Sequence, residues 1–169
     1  MSVLSLTPEF VQWVMSITQT WGYLGLFLIN IIGNATLFFP FPAFAFVFVF
    51  GSVLNPWLVG IISGIGAAIG ELVGYVVGRG GNEILKKKNK KWFDKSLKWS
   101  EKRGVFTVII VFAATPIPYD IIGILCGIIK YDVKKFFLAT LIGKIIINTA
   151  IAWAGFYSLT WVISTLGLI

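Results

Sequence analysis

The chain has no histidine and a single cysteine, Cys126. A disulfide needs two thiols, and the common zinc, haem and Cys/His nucleophile arrangements need histidines or paired cysteines, so none of these is available within the chain. Any chemistry must come from carboxylates, lysines, arginines, tyrosines or the backbone. Charge is also scarce, at 12% of 169 residues, and between Phe10 and Gly70 there is no Asp, Glu, Lys or Arg. A soluble domain would have to expose part of such a stretch to water. No basic n-region precedes a short apolar core and a small-residue cleavage site, so a removable signal peptide is not expected and the whole length is expected to be retained.

What is present is apolar: 57% of residues are hydrophobic and the mean hydropathy is +0.90. That composition describes an integral membrane protein. The net charge is +7, and ten of the fourteen basic residues lie between Arg79 and Arg103, opposed only by Glu83, Asp94 and Glu101. A basic stretch between apolar segments marks the cytoplasmic side, here expected to be that of a prokaryotic plasma membrane. Anionic lipid headgroups can meet this charge, so a nucleic-acid partner is not expected.

Leu58 to Gly78 is long enough, at about 31 Å, to cross a hydrocarbon core of roughly 30 Å. It ends at Arg79-Gly80-Gly81, after which Asn82 can cap an interfacial amphipathic helix over 83–103, interrupted at Lys88-Asn89. Gly104 to Ile129 is also long enough to cross, yet both flanks are basic: Lys102 and Arg103 on one side, Lys130, Lys134 and Lys135 on the other. Both ends therefore belong on one side, and Thr115, Pro116 and Pro118, followed by Asp120, provide the place to turn. This predicts a re-entrant hairpin. A second, entered from the opposite side, is predicted in "NATLFFPFPAFAFVFVFGS", where Pro40 and Pro42 interrupt an uncharged run.

A last span is predicted from Phe136 to about Tyr157, followed by an apolar tail over 158–169, for which the outer interface is one place among those the sequence leaves open. Pro40-x-Pro42 before Ile69-Gly70-Glu71 resembles Pro116-x-Pro118 before Ile142-Gly143-Lys144, at offsets of 76 and 73 residues. The expected fold is a single all-α integral membrane domain. It is an inverted repeat of re-entrant hairpin plus transmembrane helix, with interfacial amphipathic helices: 8–78, a basic segment 79–103, then 104–157. Inverted repeats with broken helices place a transporter's site near the bilayer midplane.

Counting helix rise from the basic flanks puts Glu71 about 12 Å deep, Lys144 about 13 Å and Asp120 about 15 Å. A charge at that depth costs at least ~2.5 kcal/mol, so pairing or hydration is expected, Lys144 with either Glu71 or Asp120. The bland alternatives are a structural ion pair, and for Asp120 a carboxylate suited to the first turn of a helix started by Thr115 or Pro118. In the functional alternative, the free N–H groups of a half-helix hold a lipid phosphate and Lys144 adds countercharge. Tyr75, one turn from Glu71, is placed to hydrogen-bond it. Asn148, Asn30, Asn34 and Thr36 are candidates for a polar path. Gly66, Gly70, Gly74 and Gly78, four residues apart, suit close packing against a hairpin or a homodimer seam.

"FFPFPAF", "GAAIGELVGYVVGRGG", "KRGVFTVIIVFAATPIPYDIIGILCGIIKY" and "FFLATLIGK" together resemble the DedA family, also called the SNARE-associated or VTT-domain family, over most of 35–150. The resemblance implies two facing re-entrant loops and movement of lipids between leaflets, undecaprenyl phosphate in bacterial members and phospholipids in eukaryotic ones. Glu71 matches the acidic position of the family's G-[DE]-x-x-G-Y-x-x-G-R pattern, with Gly70, Gly74, Tyr75, Gly78 and Arg79 around it. Two features of many bacterial members are unmatched: Ala43-Phe44 follow Pro42 where an acid is common, and Ala113, Ala114 and Tyr119-Asp120 stand where arginines flank the second proline. Lys144 is expected to supply the missing positive charge from another helix.

These readings predict a lipid transporter working on anionic membrane lipids, with no cofactor and no catalytic step. The competing readings are a proton- or cation-coupled carrier of a small solute and a non-transporting membrane-organising protein.

Overall fold

In apolar surroundings a backbone N–H finds its acceptor only within its own segment, which makes long uncharged runs helical. The computed structural model describes residues 8–36, 43–88, 104–116 and 119–165, and there the regular structure is entirely α-helix. The elements are α1 (Pro8–Ala35), α2 (Ala43–Val53), α3 (Pro56–Lys88), α4 (Gly104–Ala113), α5 (Asp120–Ile128) and α6 (Val133–Thr165). Pro40, Pro42, Pro118 and the stretch 89–103 fall outside the described residues.

Local chemistry sets the helix ends. Asn55 Oδ1 accepts from the N–H groups of Trp57 at 3.0 Å and Leu58 at 3.3 Å, and Pro56 occupies the first helical position, where a missing N–H costs nothing. Asp132 Oδ1 accepts from Lys135 N–H at 2.8 Å to start α6. Thr115 donates back to Phe112 O at 2.7 Å, so it closes α4 and does not start α5, which is preceded by Tyr119. Between α5 and α6, Lys130 has φ 54°, and Tyr131 N–H reaches Cys126 O at 2.9 Å. That is the six-to-one closure of a helix ending in a left-handed residue.

Two expected boundaries are corrected. Helix α3 does not stop at Arg79-Gly80-Gly81 but continues to Lys88, with Asn82 inside it rather than capping a new segment. A glycine costs roughly 1 kcal/mol within a helix, whereas ending one frees four carbonyls. Helix α6 begins at Val133 and runs to Thr165, so the apolar tail continues the span as far as that residue. The apolar stretches Pro56–Gly81 and Val133–Trp161 are each long enough to cross a membrane. In contrast, α2, α4 and α5, with 11, 10 and 9 residues, reach only about 13–17 Å.

Helices α3 and α6 pack on each other; α1 and α5 flank α3, and α2 and α4 flank α6. Glycines permit these approaches. A Cβ on Gly66 or Gly70 would strike the α1 backbone at Phe27 or Ile31, and one on Gly78 would strike Ile124 of α5. Gly74 lies 3.7 Å from where a Gly123 Cβ would stand. All four predicted packing glycines meet neighbours within the chain, in α1 and α5.

The glycine contacts also fix a register. Gly51 meets Ala152 and Gly127 meets Tyr75; Gly155 meets Phe48 and Gly78 meets Ile124. Each of these residues has its counterpart 76 or 77 positions along. Gly143 faces α4 at Ile110 much as Gly66 faces α1 at Phe27. The offset of 73 for the spans is thereby corrected: Glu71 corresponds to Asn148, and Lys144 to Ala67. The tripeptide match followed composition, whereas the packing follows the glycines.

Two apolar cores result. One, at the Asn55 end, comprises Leu26, Val47, Leu54, Val59 and Ala152. The other, at the Arg79 end, is built around Tyr75, Ile109, Tyr119, Tyr131 and Phe136.

Candidate functional site

Between the cores lies a charged layer. Lys144 Nζ of α6 is 2.6 Å from Glu71 Oε1 of α3, with the two side chains 6% and 3% exposed. The same Nζ donates to Asn34 Oδ1 of α1 at 3.0 Å and lies 5.0 Å from the centre of the Tyr119 ring. An ammonium has three donors and no acceptor; two of them find oxygens, and the ring face adds a cation–π contact. Glu71 Oε2 has no partner among the described residues.

Local sequence delivers each member. Because residue 70 is glycine, α1 comes close enough that the Asn34 Cβ would lie 2.9 Å from a Cβ there, which brings its amide to Lys144. Gly143 admits α4 beside the lysine. Tyr119 is held by a 2.7 Å hydrogen bond shared with Thr140 and by stacking on Phe136, with centroids 6.3 Å apart.

Of the two acids available, Lys144 pairs with Glu71. Asp120 is half-buried as the first residue of α5, where a negative charge suits the helix dipole, and no ion pair joins it to Lys144 among the described residues. Tyr75 does not bond Glu71. It lies one turn further toward the Arg79 end, stacks on Phe136 at 5.1 Å and donates to Tyr131 O at 2.5 Å. Arg79 Nη1 in turn donates to the Tyr75 hydroxyl at 2.9 Å. Thr115 and Pro116 follow α4 on the chain, away from the pair's hydrogen bonds.

The neighbouring polar residues are turned back on their own helices. Asn148 Nδ2 donates to Lys144 O at 2.7 Å, Asn30 Nδ2 to Leu26 O at 2.9 Å and Asn34 Nδ2 to Asn30 O at 2.9 Å. Thr36 is exposed and bonds Gly33 O. Sequence reasoning did not single out Tyr119, Thr140, Phe136 or Ser63. Thr140 and Phe136 precede Lys144 by one and two helical turns, a spacing that could have drawn attention to them.

The family model described as VTT domain matches residues 41–157. Uncharacterized protein MJ0201 of Methanocaldococcus jannaschii is 28% identical over 141 residues, covering 81% of this chain and 86% of that protein. Uncharacterized membrane protein YbfM of Bacillus subtilis is 28% identical over 145 residues, 79% of this chain and 88% of its own length. Vacuole membrane protein KMS2 of Arabidopsis thaliana is 38% identical over 112 residues, which is 54% of this chain but 26% of that protein. No solved structure matches.

Proposed function

The chain belongs to the VTT-domain family of membrane proteins, and we propose that it moves a lipid headgroup between leaflets through the Glu71–Lys144 layer. One observation carries this reading: a single buried lysine is met by Glu71 of one long helix, by Asn34 at the end of α1 and by the ring of Tyr119 at the start of α5. Residues of α1, α3, α5 and α6 thus converge on one charge.

The reading takes the fold as an inverted repeat, and two observations support it. Helices α2, α4 and α5 are each about half the roughly 30 Å of a hydrocarbon core, and the glycine contacts recur at 76 or 77 residues. Helices broken at mid-depth leave backbone groups that only a protein interior or a wet cavity can satisfy. The headgroup, an anionic phospholipid or polyprenyl phosphate, would exchange with Lys144 while its chains stay in lipid. The basic residues at 86–91 would gather such lipids on the cytoplasmic face of a prokaryotic plasma membrane. The reading assigns no bond-making step.

The test is leaflet exchange of fluorescent phospholipid and polyprenyl-phosphate analogues in proteoliposomes. Wild type should exchange at least one, and folded Glu71→Gln and Lys144→Met proteins should lose that exchange, with Asp120→Asn affected less. Folded wild type that exchanges neither lipid would remove the reading and favour a soluble-solute carrier or an organising role.

A further inference from the structure

We infer that the Glu71–Lys144 pair is in water contact with the Asn55 end of the molecule, along a path lined by Asn30, Ser63, Asn148 and Thr149. Toward the Arg79 end it is shut off by the Tyr75–Phe136–Tyr119 stack. The inference does not require that lipids be the cargo.

It starts from where the unmet hydrogen-bonding groups lie. Among the described residues, the buried side-chain atoms without a partner are Asn30 Oδ1, Ser63 Oγ, Glu71 Oε2, Asn148 Oδ1 and Thr149 Oγ1. None is on the Arg79 side of Glu71 or Lys144. Helix α1 runs alongside α3, with Phe27 at Gly66 and Ile31 at Gly70, and α6 runs against α3, with Ile145 at Gly64 and Thr149 at Gly60. Asn30 is therefore one turn from Asn34, and Asn148 one turn from Lys144, both toward Asn55, while Ser63 is about 12 Å along α3 from Glu71.

Each asparagine has tied its nitrogen to its own helix, so its carbonyl oxygen is what remains to be satisfied. Buried polar atoms are almost always partnered, and water bridges those that protein does not reach. Three acceptors and two hydroxyls on three adjoining helices are a set that a short chain of waters satisfies.

The other direction is closed by the same accounting. Tyr75 stacks on Phe136 at 5.1 Å and Tyr119 at 6.3 Å, and Phe136 is 0% exposed. Both phenols are bonded, to Tyr131 O and Thr140 Oγ1. In the 76–77 spacing, Ser63 stands where Thr140 stands, and Ala43 where Tyr119 stands. A phenol meets the hydroxyl at one end, and only a methyl is available at the other.

The test compares two side chains that are both 0% exposed, Ser63 and Ala139, so burial alone predicts equal inertness. In a Cys126→Ala background in native membranes, Ser63→Cys and Ala139→Cys are treated with Ag⁺, a small hydrated cation. Modification is read as lost maleimide labelling after denaturation, with folding checked by size exclusion. Since a dry buried thiol reacts only on local opening, Ser63→Cys should react faster by about tenfold or more. A smaller ratio, whether both react slowly or both fast, overturns the inference. Adding Phe136→Ala, or Phe136→Leu if the alanine variant does not fold, should raise the Ala139→Cys rate; no rise overturns the seal. Because Ag⁺ access does not depend on lipid exchange, failure of this inference and failure of the lipid reading are separate results.

Discussion

The two ends of the molecule use one helix arrangement and fill it differently. At the Asn55 end, Leu26, Val47, Leu54, Val59 and Ala152 form a core of aliphatic side chains beside hydroxyls and amide oxygens that no described group satisfies. At the Arg79 end, aromatic rings fill the corresponding space and the Tyr75 and Tyr119 hydroxyls are bonded. Packing glycines at matched positions give both ends the same backbone approach, so the difference lies in the side chains. On the inference drawn above, one helix arrangement carries a sealed face and a polar one, with the charged layer as the boundary.

Breaking that boundary should have the largest effect. Lys144→Met leaves the Glu71 carboxylate buried without its 2.6 Å partner and should lower stability by about 3–5 kcal/mol. The Glu71→Gln/Lys144→Met double variant should recover most of this, because it removes both charges. Chemical unfolding of the detergent-solubilised proteins measures it, and a double variant as weak as the single would show that packing, not charge, holds the layer.

Next in size is a glycine comparison. Gly127→Ala places a methyl within 2.7 Å of the Arg79 backbone nitrogen and should cost about 1–3 kcal/mol through overpacking. Gly25→Ala meets nothing within 4 Å and should gain up to about 1 kcal/mol from helix propensity. Equal thermal shifts for the two would separate the glycine contacts from the stability of the fold.

Much of this arrangement is legible in the chain. Uncharged runs and basic flanks locate α3 and α6, though not α1 as a separate long helix, and helix rise from the flanks brings Glu71 and Lys144 to one depth. Depth counting cannot say which acid the lysine chooses, because that depends on how far α5 sits from α6 and which way each side chain leans. It also misassigned Tyr75, whose ring reaches away from Glu71 to the α5–α6 connection. The choice of partner comes from packing between segments distant in sequence, Asn34 with Lys144 and Tyr119 with Thr140. The helix ends at Lys88 and Thr165 were missed for a different reason. Glycine pairs and polar residues weaken a helix without stopping it when neighbouring turns continue the hydrogen bonding.

The smallest expected effect compares the two ends most directly, through two hydroxyls at matched positions. Thr140→Val keeps the shape of the side chain but deprives the Tyr119 hydroxyl of its 2.7 Å partner, and should cost about 0.5–1.5 kcal/mol. Ser63→Ala removes a hydroxyl that no described protein group partners, so protein–protein bonding predicts no loss, and any cost must come from water displaced along the path. Unfolding of both variants, side by side, should show Thr140→Val to be the less stable. If Ser63→Ala were the more damaging, Ser63 would have to hold a protein partner, and the division between a sealed end and a polar end would fail at its most closely matched pair.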